Sequence, residues 1–275
     1  MKSIPVRVGV QQRVLPSYRI PFFDALAEVC PQGFGVFAGK PRQEEALGVG
    51  SVPRKAKYIQ GYNHHFLKGI FYLCWQSGLT GWLRRWQPEV LIMEANPRYP
   101  NSYKALKWMR QHGKPVIGWG LGSPYPGGKL SDQRLTMRRR FILRFDALIT
   151  YSQRGAQEYA SLGFPADRIF VAPNAVAPKP TNKPGEIVLR FKYDRPVVLF
   201  VGRLQARKRV DELICACGAL PEEVRPLLWV VGDGPERNNL KALAKEVHSD
   251  TKFYGALHGR ELEEVFKQAD LFVLP

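Results

Sequence analysis

Apolar residues along this chain fall in short unbroken runs, and between the runs they recur at helical spacing. Runs such as V-V-L-F-V at 197–201 and L-L-W-V-V at 227–231 are rich in β-branched residues and closed by glycine. That pattern suits a parallel strand covered on both faces. In the first part of the chain it predicts strands at 6–10, 33–37, 56–59, 90–94, 115–119, 147–151 and 169–172, with helices at 22–29, 66–86, 102–112, 132–145 and 155–162. Residues 173–196 carry five prolines and little periodicity, as an inter-domain connector would. The pattern then restarts, with strands at 197–201, 227–231, 252–254 and 271–274 and helices at 210–220, 236–248 and 260–269. Strands alternating with crossover helices predict an α/β fold with two Rossmann-like, doubly wound domains. The expected organisation is 1–176, a linker at 177–196, and 197–275. Two such domains facing one another would form a cleft, because ligands of open α/β sheets bind beyond the carboxyl ends of the strands.

Composition narrows the class. The chain has 275 residues, 45% of them hydrophobic, which is enough to bury a sizeable core. No apolar run reaches the roughly 18 residues that cross a bilayer, and charge near the start argues against a secretory signal. A cytoplasmic protein is expected, with a peripheral place on the inner membrane face as its closest approach to lipid. Cys30, Cys74, Cys215 and Cys217 lack metal-ligand spacing and are read as reduced thiols, so no metal is expected. The net charge of +17 is unevenly spread: through residue 178 there are 25 Lys+Arg against 10 Asp+Glu, and beyond it 16 against 14. The basic first half implies an anionic partner there.

The sharpest chemistry follows the 197–201 strand. Gly202, Arg203 and Lys208 come at its end, where the next helix opens and its free N–H groups, with two cations beside them, favour a phosphate. A solvated helix start would account for Arg203, Arg207, Lys208 and Arg209 taken alone. The cluster is not alone: G-R-L with Lys208 is followed by Gly232, Asp233, Gly234 and Pro235, then by Phe253, Tyr254 and Gly255, then by A-D-L-F-V-L-P at 269–275. In order and spacing these resemble the donor-binding domain of family 4 glycosyltransferases of the GT-B fold.

The resemblance implies that Arg203 and Lys208 bind and stabilise the departing diphosphate of a nucleotide-activated sugar such as a UDP- or GDP-sugar. It implies Gly202, Gly232, Asp233, Gly234, Tyr254 and Gly255 as further donor-site residues. Breaking the anomeric C–O bond puts negative charge on the leaving group while the sugar becomes oxocarbenium-like, so fixed cations lower the barrier. No further cofactor is implied, and transfer is expected to retain anomeric configuration, onto a glycan or lipid-linked acceptor. Members of the family continue past L-F-V-L-P with elements that include a pair of glutamates, whereas this chain stops at Pro275. The expectation is therefore a C-terminally truncated member, the second domain incomplete, with the activity of these 275 residues left open.

In the first half, Tyr18 and Arg19 follow the first strand, Asn96 follows the strand ending at Glu94, Trp119 ends another, and Asn174 lies in a P-N-A-V turn at the hinge. These five are the acceptor-side candidates. Relatives place a histidine in a W-x-H-G-like stretch where this chain has Leu121, so a role carried by that histidine does not transfer. Cations and aromatics interleave from Arg54 to Trp86, which on an amphipathic helix would suit an anionic membrane surface or, equally, a core face with solvated lysines. Competing readings are a truncated, non-catalytic acceptor- or membrane-binding domain and a basic nucleic-acid binder. The second lacks any helix-turn-helix, zinc-finger or RNA-recognition signature, so no nucleic-acid partner is expected.

Overall fold

The structure is a computed structural model that describes residues 3–42, 45, 52–67, 69–123, 127–128, 131–174 and 193–275. The chain divides into two compact units, Met1–Lys179 and Pro180–Pro275. Most of the connector expected at 177–196, and Ala175 and Val176 of the hinge turn, lie outside the described residues.

In the first unit, β1 (Val8–Val14), β2 (Phe34–Gly39), β3 (Lys57–Gln60), β6 (Val90–Glu94), β7 (Val116–Gly120), β8 (Ala147–Thr150) and β9 (Ile169–Val171) form one sheet in the order β3-β2-β1-β6-β7-β8-β9. Every pairing in it is parallel. Helices α1 (Ile20–Val29), α2 (Leu79–Trp86), α3 (Pro100–Gln111), α4 (Ser131–Ile142) and α5 (Gln153–Ser161) join the strands. One face packs Leu83, Leu91, Met93, Met109, Phe141 and Leu148, and the other Val8, Val10, Phe23, Phe34 and Val36. The chain runs outward from β1 to β3, then returns to place β6 on the opposite side of β1. That reversal is where the loops at the carboxyl ends part and leave a crevice.

One expectation fails. Residues 66–86 are not a single helix: β4 (Tyr62–Phe66) and β5 (Leu73–Ser77) form an antiparallel hairpin, and among the described residues only Leu79–Trp86 is α-helical. Helical spacing is carried by Leu79, Trp82, Leu83 and Trp86, whereas along β5 burial alternates with a period of two and turns Cys74 and Gln76 inward. The amide of Gln76 donates to the Gln12 carbonyl at 3.0 Å, and Gln11 donates to the Gln76 carbonyl oxygen at 2.8 Å, tying the hairpin to the end of β1. The aromatics of this segment therefore divide: Trp82 is core, while Phe66 and Phe71 are exposed.

The second unit has β10 (Val197–Val201), β11 (Leu227–Val231), β12 (Thr251–Gly255) and β13 (Leu271–Phe272) in the order β12-β11-β10-β13, again all parallel, with α6 (Val210–Gly218), α7 (Arg237–Val247) and α8 (Gly259–Gln268). Val198 and Phe200 enter one apolar cluster while Val197 and Leu199 enter the other, so β10 is covered on both faces. Burying Phe200 completely contributes about 2–3 kcal/mol. The reversal of strand order falls between β10 and β13, which puts Gly202 and Arg203 at this sheet's switch point.

Candidate functional site

In the second unit the loops after β10 and β11 are joined through their backbones. Gly202 N–H donates to the Val231 carbonyl at 2.9 Å, Leu204 N–H to Asp233 at 3.0 Å, and Glu236 N–H to Leu204 at 3.2 Å. Glycine is required for this approach: Gly232 has φ +138°, and a side chain there would collide with the Gly202 carbonyl. Gly232 N–H in turn donates to the Gly255 carbonyl at 2.7 Å, so the Gly202, Gly232 and Gly255 positions form one backbone-bonded rim.

On this rim Arg203 and Lys208 are half-buried, whereas Arg207 and Arg209 are exposed. Arg207 donates to the side chain of its neighbour Gln205 at 3.1 Å, and Arg209 pairs with Glu212. Lys208 makes no ion pair with any described residue. The structure differs from the sequence reading at the helix start: a 3-10 turn, Ala206–Lys208, and Arg209 at φ +47° intervene before α6, whose first turn already holds Asp211 and Glu212. The dipole there is offset by carboxylates, so an anion at this rim would rest on Arg203 and Lys208. Asp233 is committed locally, accepting from Gly234 N–H at 2.7 Å and from Arg237 at 2.9 Å. The Tyr254 ring packs edge-on against Trp229, with centroids 5.4 Å apart.

The first unit has a cavity of about 760 Å³ at the carboxyl ends of its strands, and all five acceptor-side candidates, Tyr18, Arg19, Asn96, Trp119 and Asn174, line it. Arg19, on its wall, is held by several neighbours. One terminal nitrogen donates to the Gln12 side-chain carbonyl and the other to the Tyr151 hydroxyl at 2.6 Å, with the guanidinium 5.0 Å from the Trp119 ring centre. Gly120 continues the wall beyond Trp119, where any side chain would meet the Tyr159 hydroxyl. Leu121, at the family's histidine position, also lines the cavity and is 78% exposed.

Glu94 ends β6 on the cavity wall and accepts the Arg13 N–H at 2.8 Å. Burial pushes its carboxyl above the usual value, against the opposing pull of the Arg13 N–H and of the Arg13 and Arg19 charges. Burial likewise raises the Tyr159 hydroxyl to about 12 and the Tyr151 hydroxyl upward. Arg98 and Arg138 complete the charged lining.

Sequence reasoning passed over Gln12, Arg138 and Tyr151 as site residues, and from the cleft-facing stretch 94–98 it named Asn96 but neither Glu94 nor Arg98 as a candidate. A signal for the first was present: Gln11 and Gln12 sit in an otherwise apolar buried strand and are both 2% exposed. No group of His, Cys, Asp and Glu among the described residues has metal-site geometry. His112, His248 and His258 stand at helix ends.

Comparison with known proteins agrees with the motif reading. The profile described as Glycosyltransferase Family 4 matches residues 35–179, more than half of the chain, and that described as Glycosyl transferases group 1 matches residues 187–275. D-inositol 3-phosphate glycosyltransferase of Xylanimonas cellulosilytica is 29% identical over 221 residues, covering 73% of this chain and 48% of its own length. GDP-mannose-dependent alpha-mannosyltransferase of Mycobacterium tuberculosis is 37% identical over 91 residues, covering 31% of this chain and 21% of its own. The chain thus spans about half the length, or less, of these curated relatives. Among solved structures, the apo form of the lipopolysaccharide outer core galactosyltransferase WaaB aligns with a TM-score of 0.62 at 17% identity, covering 98% of this chain and 73% of its own. The chain belongs to the family 4 glycosyltransferases of the GT-B fold.

Proposed function

We propose that the protein transfers a sugar from a nucleoside-diphosphate donor to a glycan or lipid-linked acceptor with retention of configuration. Arg203 and Lys208 hold the donor diphosphate, and the acceptor enters the cavity of the first unit. The observation that carries this reading is the division among the cations after β10: Arg207 and Arg209 turn outward to local partners, while Arg203 and Lys208 stay half-buried on the glycine rim at the switch point. In the transfer, the bond from the anomeric carbon to the diphosphate oxygen breaks, the acceptor oxygen bonds to that carbon on the same face, and the acceptor proton passes to the departing phosphate. The two cations stabilise the charge that develops on the diphosphate, a task that divalent metals perform in other enzymes. Activity is accordingly expected to survive chelation by EDTA. The relative named for a GDP-mannose donor places GDP-sugars beside UDP-sugars in a donor screen.

Arg203→Ala and Lys208→Ala are each expected to lower turnover by roughly 10²-fold or more, measured as released UDP or GDP. Near-normal turnover in both would overturn the donor-site assignment.

A membrane-facing role is favoured by a specific feature of the first unit. The β4–β5 hairpin, not an amphipathic helix, presents Tyr62, Phe66, Leu67, Phe71 and Leu73 to solvent, in a unit whose charge is strongly positive. Exposed aromatics with surrounding cations suit an anionic lipid surface. No helix among the described residues is long and apolar enough to cross a membrane.

A further inference from the structure

We propose that Gln76, on the β4–β5 hairpin, is a positioning residue for the cavity of the first unit: its buried amide fixes the end of β1 and, through Gln12, the stance of Arg19. The inference rests on the acceptor-side reading above and goes beyond it by naming a residue outside the cavity lining on which that site depends.

The strands part where Gln76 meets them. The β1–β6 ladder ends with Gln11 opposite Met93, and β1 shifts register against β2 between Gln12 and Val14. Beyond the ladder, side chains take up the backbone groups. Gln11 accepts the Glu94 N–H at 3.2 Å, the Glu94 carboxylate accepts the Arg13 N–H at 2.8 Å, and Gln76 donates to the Gln12 carbonyl at 3.0 Å. Gln76 also donates to Asn63 Oδ1 at 3.0 Å, and its side-chain oxygen accepts from Gln11 at 2.8 Å. The hairpin is anchored in turn: the Gln76 backbone N–H donates to Asn101 Oδ1 at 2.7 Å, and Asn63 donates to the Arg13 and Lys40 carbonyls, each at 2.8 Å.

Burial gives this arrangement its weight. Gln11, Gln12 and Gln76 are each 2% exposed, and Asn101 is 5% exposed. An amide in such a place costs stability unless its hydrogen bonds are made, and an apolar side chain of equal length would fill the space without that requirement. What the amide adds is direction: hydrogen bonds fix an orientation that dispersion contacts leave loose, and a satisfied buried network rigidifies its members. Successive side chains of a strand face opposite ways. Gln11 thus turns to Gln76 while Gln12 turns to the cavity, where it accepts from Arg19, which donates onward to the Tyr151 hydroxyl at 2.6 Å. The two segments pinned by Gln76 and Gln11 are the ends of β1 and β6, and each leads into the cavity lining, one to Arg19 and the other to Asn96.

The test reads Arg19 through its neighbour. 3-Fluorotyrosine is placed at Tyr151 of the full chain and its fluorine resonance is titrated, with a second protein labelled at Tyr58 of β3 as the control. Burial pushes the Tyr151 hydroxyl up, and Arg19 opposes that shift. Gln76→Met, close in shape but without the amide, is expected to loosen Arg19 and raise the Tyr151 midpoint by about 0.5–1 pH unit, a 3- to 10-fold change in proton affinity. Arg19→Met is expected to move that midpoint the same way and further, and the Tyr58 midpoint is expected to stay in both. In Gln11→Met/Gln76→Met neither amide is left facing a missing partner, so stability in urea is expected to recover while the Tyr151 midpoint remains displaced. A wild-type midpoint in Gln76→Met, or a return to it in the double variant, would overturn the proposal and leave the network as scaffolding. Equal shifts at Tyr151 and Tyr58 would overturn it as well, because they report general loosening of the unit. Should Gln76→Met fail to fold, the double variant and Gln76→Asn, which keeps the amide but draws it back by one methylene, carry the test with the same outcomes. The reading beneath this inference is judged separately. If Arg19→Met leaves turnover unchanged, measured as released UDP or GDP, while Gln76→Met moves the Tyr151 midpoint, Gln76 keeps its positioning role and the acceptor-side reading falls.

Discussion

The two units are built by one rule and carry their candidate chemistry by different means. Both are parallel sheets covered on two faces, and both present loops at the strand order's reversal. In the second unit the rim is made of backbone: Gly202 N–H bonds to the Val231 carbonyl and Gly232 N–H to the Gly255 carbonyl, which draws the three glycines together, and the working side chains follow from that scaffold. In the first unit the site is made of side chains, drawn largely from the loops after β1, β6, β7, β8 and β9 and lining one cavity. A backbone-built site needs particular residues at fixed spacing and leaves a motif. A side-chain-built site needs only complementary groups from distant segments and leaves none. The charge division, strongly positive before residue 178 and nearly balanced after it, matches the contrast, since the second unit's cations have acidic neighbours such as Glu212 and Asp250.

The largest test of that contrast is a single methyl group. Gly232→Ala is expected to destabilise the second unit by about 3 kcal/mol or more, because the added carbon meets the Gly202 carbonyl at a positive φ. Gly259→Ala, also at positive φ but with open space around it, is expected to cost about 1 kcal/mol. Urea unfolding of the two variants measures this, and equal, small costs would show that backbone packing does not define the second site.

Titration separates the units next. Burial raises the Glu94 carboxyl, so the folded first unit holds a proton that the unfolded chain releases near pH 4.5. Its contribution is fully present below that value and is lost as pH rises through the raised folded value, by up to about 1.4 kcal/mol per pH unit. His248 is 2% exposed, and burial lowers its ring below 6.5 despite the opposing Asp250 charge. The second unit therefore keeps that contribution above pH 6.5 and loses it as pH falls through 6.5 toward the lowered folded value. Amide exchange in β6 against that in β11, followed across pH, should move in opposite directions. Glu94→Gln should flatten the first trend alone, and parallel trends would refute the assignment.

The smallest effect belongs to the hairpin. Phe71→Ser, at a site 62% exposed, is expected to change stability by less than about 0.5 kcal/mol while reducing cosedimentation with anionic phosphatidylserine vesicles. Unaltered vesicle binding in a Phe66→Ser/Phe71→Ser double variant would remove the membrane-facing reading.

Much of the second unit was readable from the chain itself. The run 197–201, the glycine that closes it and Gly232–Gly234 are local features whose geometry follows from residue type, and the spacing of Arg203 and Lys208 from that strand carries over directly. The helix start was misjudged because Arg209 adopts a left-handed conformation that its side chain does not announce, and because Asp211 and Glu212 were not weighed against the dipole. Residues 66–86 were misread because apolar residues are dense enough there to satisfy two periods at once, and the period of β5 is selected by Gln76 reaching Gln11 and Gln12, partners about sixty residues away.

By itself, the order of residues determined the alternation of strands and helices, the family, and the two cations at the end of β10, because each depends on neighbours within a few positions along the chain. Tertiary structure alone decided that Arg19 would be held between Gln12 and Tyr151 over Trp119, that Glu94 would stand half-buried on the same cavity wall, and that Arg98 and Arg138 would share that cavity. Those groups lie on different strands and helices, and a parallel sheet brings the ends of distant segments together only after every crossover has closed.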